Sequence, residues 1–489
     1  MSSIGPRSPI PQKRLTASAR SWAAHWKSKK CGVPWIGPCI AIAPKRKGSG
    51  IKTQYVGNTK GADWVRDNVM RESAVVITGV GLTVPLGLSA KEASQRSRDG
   101  ESAIGPLRRF DVAGHPCRAA AEVADFDISD WLGSPKNAKL MGQSVKYALR
   151  AAKEAVANAS IELDRFDPYR IGLYTGSGQT GVDCTIFFPA LTAAWDGRDD
   201  LDFRYLGGRP SRLVDRYFSL KTLANAGIGF LSSELGAQGP SGNFVQGDTA
   251  SALAIMSAFH DLVEGRCDVA IAGGYESLLT SSTYLAYARA GLLSATAPDR
   301  AYRPFDRERD GVVLGEGAGF LVLERRDVAE ARGAPILAEL VGCGCGMVAD
   351  DIPEPRRALQ ASRAAAAAAL DGADADVVIA HGIGTLAGDQ AEAELLAELF
   401  GPTVPITAFK SQTGYLGAAG SSVELGLSVL ALHEGWLPPI ARLQIPEPDL
   451  GLDFVRPDAR RVKDHLTAIS IAWSWAGQVT ALAVRGVKP

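Results

Sequence analysis

Cysteine and histidine are scarce in this chain, which has seven cysteines and six histidines among 489 residues. No two cysteines form a CxxC pair, and the histidines other than His381 stand alone, without the spacing of metal ligands. Cys343 and Cys345 have no histidine or further cysteine near them, so we expect both thiols on one face of a strand. We predict no metal site and, because free thiols are typical of reducing compartments, a cytoplasmic protein.

The motifs that hold nucleotide cofactors are incomplete as well. Residues 79–84 resemble a dinucleotide-binding turn, but Val84 stands where the third glycine is needed. Residues 315–319 are rich in glycine but lack the lysine of a phosphate-binding loop. We therefore predict that the chain uses no cofactor.

Long apolar runs are absent too, since residues 31–43 are too short and too interrupted by proline to span a membrane. The net charge is zero, which gives no reason to expect a nucleic-acid partner. That balance hides an asymmetry, because residues 1–70 carry 13 Lys or Arg against two Asp, an excess of +11. We predict that residues 1–70 form a basic extension outside the fold. A transit peptide, or an arm that contacts nucleic acid or a carrier protein, remains an alternative.

The rest of the chain alternates buried helices with short strands. Residues 249–264 are apolar nearly all round, which predicts a helix buried on most faces and ended by Gly265. The apolar run 269–272 follows and ends at two glycines, and this spacing predicts a βαβ unit with a buried parallel sheet. Similar patterns recur at residues 364–380, 406–432 and 469–472. We predict an α/β fold with two similar βαβ-rich halves.

Four of these strands end at a residue that can carry chemistry: Asp248, His381, Lys410 and Trp473. In α/β sheets, ligand sites form beyond the carboxyl ends of the strands. We therefore expect the four side chains to converge.

Residues 239–255 resemble the strand-to-helix elbow of β-ketoacyl-acyl-carrier-protein synthases, which reads roughly G-P-S-x-x-V-x-T-A-C-A-S-x-x-A-I. Asp248 occupies the place of the nucleophilic cysteine, and a carboxylate is a poor substitute for a thiolate in carrying an acyl chain. Further blocks similar to this family lie at residues 76–87, 267–276, 303–319, 381–392 and 410–414.

The resemblance implies the thiolase-like fold, layered α/β/α/β/α, with an N-terminal half at residues 71–328 and a C-terminal half at residues 329–489. It also implies a role in fatty acid or polyketide synthesis, with acyl carrier protein as a partner. In this fold the strand near residues 239–247 commonly pairs with its twin. We therefore expect a homodimer, or a heterodimer with an active ketosynthase subunit.

The resemblance also assigns roles in the site. His381 matches the first histidine, which polarises a thioester carbonyl, and Lys410 matches the lysine that supports it. For His381 two interpretations stay open: an active role, and a structural hydrogen bond that has been retained. We predict Glu392 or Asp389 as the counter-ion of Lys410, because a buried lysine is costly without a partner. Tyr415 replaces the second histidine, and a phenol with a pKa near 10 exchanges protons poorly at neutral pH.

The last loop also departs from the family pattern F-G-F-G-G-x-N. The corresponding residues include Trp473, Trp475 and Gly477, which we predict as the substrate-binding residues. Two indoles and fewer glycines imply a stiffer and fuller loop. Two interpretations stay open: simple packing, and a blocked or shortened acyl tunnel.

Asp248 has three interpretations: a structural cap for the following helix, a catalytic carboxylate, or a mimic of the malonyl carboxylate. The function that we predict is a condensation-deficient subunit, similar to the chain-length factors that pair with an active synthase. Those relatives usually carry glutamine in place of the cysteine, so Asp248 departs from them too. The alternatives are a decarboxylase or acyltransferase with altered residues, and a β-ketoacyl synthase that uses Thr249 or Ser251 as nucleophile.

Removal of residues 1–69 tests the predicted extension. A chain that begins at Met70 should keep its solubility, and its melting temperature should stay within about 2 °C of the full-length value, since no core residue is lost. Differential scanning calorimetry of the two chains measures this, and a large fall would show that the segment packs on the core.

Overall fold

The computed structural model of the chain describes residues 74–178, 184–195, 202–208, 210–348, 355–447 and 450–487. The predicted basic extension at residues 1–70 lies outside these residues. The strands described are β1 (Val75–Thr83), β2 (Gly105–Pro106), β3 (Ala119–Ala120), β4 (Ile171–Ser177), β5 (Ser241–Phe244), β6 (Val269–Ser277), β7 (Glu316–Arg325), β8 (Ala338–Met347), β9 (Val377–Ile379), β10 (Ile406–Thr407), β11 (Trp436–Leu437), β12 (Arg460–Arg461), β13 (Thr467–Trp473) and β14 (Gln478–Gly486). The α-helices described are α1 (Ala90–Arg98), α2 (Gln143–Asn158), α3 (Phe188–Ala194), α4 (Phe203–Leu206), α5 (Phe218–Thr222), α6 (Ala226–Leu235), α7 (Ala250–Val263), α8 (Ser281–Arg289), α9 (Arg326–Ala331), α10 (Pro355–Leu370), α11 (Leu386–Phe400), α12 (Lys410–Thr413) and α13 (Gly420–Glu434).

Ten strands form one large sheet with two halves of identical connectivity. The strand order is β5-β4-β6-β7-β1 in the first half and β10-β9-β13-β14-β8 in the second. Counted within each half, both orders read third, second, fourth, fifth, first. The halves join where residues 75–77 of β1 pair antiparallel with residues 338–340 of β8. This repeat is the two-half α/β architecture that the sequence predicts.

The two halves enclose a central pair of helices, α7 and α13, which occupy equivalent places because each follows the third strand of its half. Apolar side chains of both helices lie in one core cluster together with residues of β1, β6, β8 and β14. On the outer faces, α2 packs on β1, β6 and β7, and α10 packs on β8 and β14. Helices therefore alternate with sheets in five layers, as in the thiolase-like fold.

The strands are apolar and β-branched because they are covered on both faces. Every residue of β1 is buried, and its sequence, VVITGVGLT, has no charged side chain. Strands β5, β4 and β6 run parallel, which confirms the predicted βαβ unit around α7. Strands β7 and β1 run antiparallel to their neighbours, so the sheet is mixed.

Glycines allow the elbow before α7 to lie directly against the sheet. A Cβ on Gly176 would stand 2.3 Å from the backbone nitrogen of Ser251, and one on Gly274 would stand 2.6 Å from the carbonyl oxygen of Ala418. No side chain fits at either place. The first turn of α7 and the loop before α13 therefore both pack directly against the backbone of the sheet.

The predicted ends of the helix and the strand around residues 249–272 need one correction. The helix predicted at residues 249–264 is α7, but the strand predicted to end before Gly273 continues through both glycines to Ser277. Here the glycines permit close packing rather than a turn, since a Cβ on Gly273 would stand 2.1 Å from the oxygen of Gly319. No helix among the described residues is both long enough and apolar enough to cross a membrane.

Candidate active site

The predicted convergence of strand ends is observed. Asp248 lies in the turn Gly247–Thr249 after β5, and Lys410 begins α12 after β10. His381 follows β9, and Trp473 ends β13. Contacts between the elements at these strand ends bring the four residues and Tyr415 into one buried region.

Asp248 is buried, with 4% of its surface exposed, and it has a specific partner. The Tyr415 hydroxyl donates to its Oδ2 at 2.9 Å. Burial raises the pKa of Asp248 to about 6, while the Tyr415 bond and the charge of Lys410 oppose that rise. The interpretation of Asp248 as a side-chain cap of α7 is wrong, because the N-cap residue is Thr249 and no side chain caps this helix.

Tyr415 connects Asp248 to the last loop. Its oxygen accepts a hydrogen bond from Nε1 of Trp475 at 3.1 Å and also interacts with the Tyr287 hydroxyl. Burial, followed by the charge of Asp248, raises the pKa of Tyr415 well above its ordinary value. Tyr415 therefore stays protonated at neutral pH.

Lys410, whose charge acts on Asp248, makes a second set of contacts with His381 and Glu424. Its Nζ donates to the carbonyl oxygen of His381 and to Oε1 of Glu424, both at 2.6 Å, and lies 3.2 Å from Nδ1 of His381. Burial and the charge of Lys410 lower the pKa of His381 well below its usual value, so the ring is neutral. Because Nδ1 faces a donor, the ring proton is on Nε2.

The predicted counter-ion of Lys410 is corrected by this geometry, since it is Glu424 rather than Glu392 or Asp389. Glu392 instead accepts from the backbone nitrogens of His381 and Gly382 at 2.6 and 2.8 Å. Asp389 accepts from the nitrogens of Phe305 and Gly384 at 2.7 and 2.8 Å. These two carboxylates of α11 hold the loop after β9, and the salt bridge of Lys410 is made to Glu424 instead.

A cavity of about 600 Å³ lies beside this region. Its lining includes His381, Trp473 and Trp475, together with the first turns of α11. Asp248 and Tyr415 do not line it, although Trp475 touches Tyr415. The indole of Trp475 thus lines the cavity and also contacts Tyr415, the hydrogen-bond partner of Asp248.

The predicted substrate-binding residues divide into two kinds. Trp473 and Trp475 line the cavity, and Trp475 is 52% exposed. Gly477 is not a lining residue; it has a φ of +82° and closes a tight turn by donating its N–H to the carbonyl of Ser474 at 2.9 Å. Its part is to shape the loop that carries the two indoles.

Three functional candidates were missed by the sequence reasoning. Glu424 had a usable signal, because it is a carboxylate flanked by apolar residues inside helix α13 and must have a buried partner. Glu276, at the end of β6, is buried beside the elbow, and burial with the nearby charge of Asp248 raises its pKa to about 8. Tyr287 gave no signal, since only the tertiary structure brings α8 to Tyr415.

The alternative nucleophiles have no base beside them. Oγ1 of Thr249 lies 2.8 Å from Oε1 of Gln478 and 3.1 Å from the carbonyl oxygen of Gln246. Oγ of Ser251 accepts from the backbone nitrogen of Ser422 at 3.1 Å. An activated hydroxyl needs a histidine or a similar base in hydrogen-bond reach, so these contacts argue against either residue as nucleophile.

Comparison with protein families identifies this architecture. Residues 72–329 match the family described as "Beta-ketoacyl synthase, N-terminal domain", and residues 337–444 match "Beta-ketoacyl synthase, C-terminal domain". The chain belongs to the β-ketoacyl synthase family. Among the described residues, no group of three or more His, Cys, Asp or Glu side chains is placed to hold a metal ion.

The relatives of this ketosynthase-family chain are named as acyl-carrier-protein and polyketide synthases. It is 31% identical over 426 residues to 3-oxoacyl-[acyl-carrier-protein] synthase 2 of Synechocystis sp., covering 85% of this chain and 99% of that one. It is 33% identical over 423 residues to a Streptomyces halstedii protein provisionally named polyketide beta-ketoacyl synthase 1, with 84% and 98% covered. A solved structure, "The ishigamide ketosynthase/chain length factor", superposes with a TM-score of 0.75 at 26% identity, covering 85% and 99%. The ketosynthase-like character of the chain and its thiolase-like fold follow from these matches.

Replacement of Glu276 by Gln tests the electrostatics beside the elbow. The folded-state pKa of about 8 exceeds the unfolded value of about 4.3, so the contribution of this carboxyl to stability is full below pH 4.3. It is lost as the pH rises through 8. The free energy of unfolding of Glu276→Gln relative to wild type should therefore increase between pH 5 and 8.5, by up to about 1.4 kcal/mol per pH unit.

Urea denaturation at four pH values measures this difference. Glu394→Gln makes the same change at an exposed position of α11 and controls for the lost surface charge. A difference for Glu276→Gln that stays flat with pH would contradict the shifted pKa.

Proposed function

We propose that this chain is a condensation-deficient, chain-length-factor-like subunit that pairs with an active β-ketoacyl synthase in fatty acid or polyketide synthesis. The observation that supports it best is the bond from Tyr415 to Asp248, because it joins the residues at the nucleophile position and the second-histidine position. The side chains at the two positions that would carry the acyl chain and transfer the proton, Asp248 and Tyr415, are hydrogen-bonded to each other.

The chemistry of the elbow supports the loss of condensation. Transfer of an acyl group to Asp248 would make a mixed anhydride, which lies uphill from a thioester and hydrolyses readily. Tyr415 would then have to give up a proton that burial and the Asp248 carboxylate hold on its oxygen. No acyl-enzyme of useful lifetime is expected from this pair.

The pocket beside the elbow favours a second candidate, decarboxylation of a malonyl thioester. His381 lines the cavity as a neutral imidazole with its proton on Nε2, and Lys410 and Glu424 fix its ring. An Nε2–H donor can stabilise the enolate oxygen that forms when the C–C bond breaks and CO₂ leaves. A proton from water then returns to the methylene carbon and gives the acetyl thioester.

The proposed partners follow from the relatives and from the free edge of the sheet. The name of the Synechocystis relative specifies an acyl carrier protein, which we propose as the source of the acyl thioester here. Strand β5 pairs with β4 on one side and stands at the end of the strand order. An open edge is a template for pairing with another chain, so we propose that β5 contacts the partner ketosynthase or a second copy.

The domain organisation that we propose has a boundary between β7 and β8, with an N-terminal half at residues 71–328 and a C-terminal half at residues 329–489. The repeat of the same strand order on each side of this boundary supports it. Residues 1–70 would be the basic extension.

Incubation with acyl and malonyl thioesters of acyl carrier protein tests the lost nucleophile. We expect no covalent adduct on the wild-type chain, and we expect Asp248→Cys alone not to restore rapid condensation, because Tyr415 and Trp475 remain. Intact-protein mass spectrometry detects adducts, and the same assay scores CO₂ loss by converting malonyl to acetyl thioester.

A stoichiometric acyl adduct that maps to Asp248, Thr249 or Ser251 would sink the condensation-deficient role. Conversion of malonyl to acetyl thioester without an adduct, abolished in His381→Ala, would establish the decarboxylase.

Pairing is tested at the free edge of β5. The nitrogen of Leu173 bonds to the oxygen of Pro240, so in a parallel ladder the N–H of Ser241 points to the open side. Ser241→Pro removes that donor and should weaken association with a co-expressed intact synthase by about tenfold. Ser241→Ala keeps the N–H and is the matched control, with association measured by co-purification and light scattering. A wild-type chain that stays monomeric with every intact synthase tried would end the subunit proposal.

A further inference from the structure

One line of hydrogen bonds runs from a solvent-facing loop to the buried elbow. Trp475 lies on the turn between β13 and β14 with 52% of its surface exposed. Its Nε1 donates to Tyr415 at 3.1 Å, and the Tyr415 hydroxyl donates to Asp248 at 2.9 Å. The hydroxyl hydrogen of Tyr415 is used in the hydrogen bond to Asp248. The Tyr415 oxygen is therefore the acceptor in the hydrogen bond from the indole N–H. A half-exposed loop is thus tied to a carboxyl that has 4% exposure.

The turn that carries Trp475 is short and has few other ties near its tip. Ser474 and Gln478 close it through an N–H to carbonyl bond of 2.8 Å, and the Gly477 N–H bonds to the Ser474 carbonyl. The N–H of Ala476 bonds to Oγ of Ser474 at 3.2 Å. These bonds lie within the turn, and the N–H of Val348 also bonds to the carbonyl of Gly477 at 2.9 Å. The bond from Nε1 of Trp475 to Tyr415 is the tie that connects the indole itself to the buried elbow.

The strength of that tie depends on the charge of Asp248. A hydrogen bond to an ionised acceptor is roughly twice as strong as one to a neutral acceptor. Bonds in a chain also polarise one another, so a weaker Tyr415–Asp248 bond weakens the Trp475–Tyr415 bond as well.

Several titratable groups face Asp248 from the surrounding elements, and they set this charge together. They are Lys410 from α12, Glu424 from α13, Glu276 from β6, Tyr287 from α8, and Tyr302 and Tyr415 from loops. The cation among these groups, Lys410, is already bonded to Glu424 and His381.

We propose that the Trp475–Tyr415–Asp248 chain is a pH-sensitive lock, tight while Asp248 is ionised and loosened when Asp248 takes up a proton. Loosening lets the indole of Trp475 move relative to the cavity that it lines. The pKa of about 6 places this change just below neutral pH. The lock does not depend on the proposed subunit role, because it concerns only the loop and the elbow.

Fluorine NMR of the full-length chain labelled with 5-fluorotryptophan tests the lock. The chain has nine tryptophans, and the Trp475 signal is assigned by its loss in Trp475→Phe. We expect this signal to shift between pH 8 and pH 5 with a midpoint near 6. The Trp473 signal is the internal control, since its Nε1 has no hydrogen-bond partner and is not part of the chain.

Asp248→Asn keeps the size of the side chain but cannot ionise, so its Trp475 signal at pH 8 should already stand at the low-pH position of the wild type. In Tyr415→Phe, the Trp475 signal should also stand at the low-pH position of the wild type. If Tyr415→Phe does not fold, Asp248→Asn alone tests the lock. A wild-type Trp475 signal that does not move between pH 8 and 5, or that moves equally in Asp248→Asn, overturns the proposal.

Discussion

The packing of α7 against α13 between the two sheet halves is the constraint on which the site depends. Both helices are covered by sheet and by each other, so their amino-terminal turns, Gly247–Thr249 and Gly417–Ala419, meet inside the protein. Polar groups at these turns are cut off from water and must satisfy one another. The bonds from Tyr415 to Asp248 and from Lys410 to Glu424 are the result.

The two residues that the sequence predicts as departures from the family pattern, Asp248 and Tyr415, form a single interaction in the structure. Asp248 needs a donor once it is buried, and Tyr415 is a donor of the right length with one proton to give. A histidine at position 415 could donate as well, but a phenol holds its proton more firmly. Trp475 extends the same network to the last loop, so three residues that are separate in the sequence are explained together.

The site therefore has an altered part and a retained part that meet at Lys410. On the altered side, the charge of Lys410 favours the ionised form of Asp248. On the retained side, the same amine fixes the tautomer of His381 and keeps that ring neutral. The cavity opens on the retained side only, so a thioester bound there would meet the imidazole before it met the elbow.

The sequence alone determined the layered α/β fold, the buried helix after Asp248 and the convergence of strand ends, because apolar periodicity and strand topology depend on local pattern. Its motifs also predict that Asp248 and Tyr415 stand at the altered positions. Only the tertiary structure decided which groups are partners: Glu424 rather than Glu392 or Asp389 for Lys410, and Tyr415 rather than the helix end for Asp248. Partner choice depends on side-chain direction and on competition with backbone N–H groups, and neither is encoded in the spacing of residues along the chain.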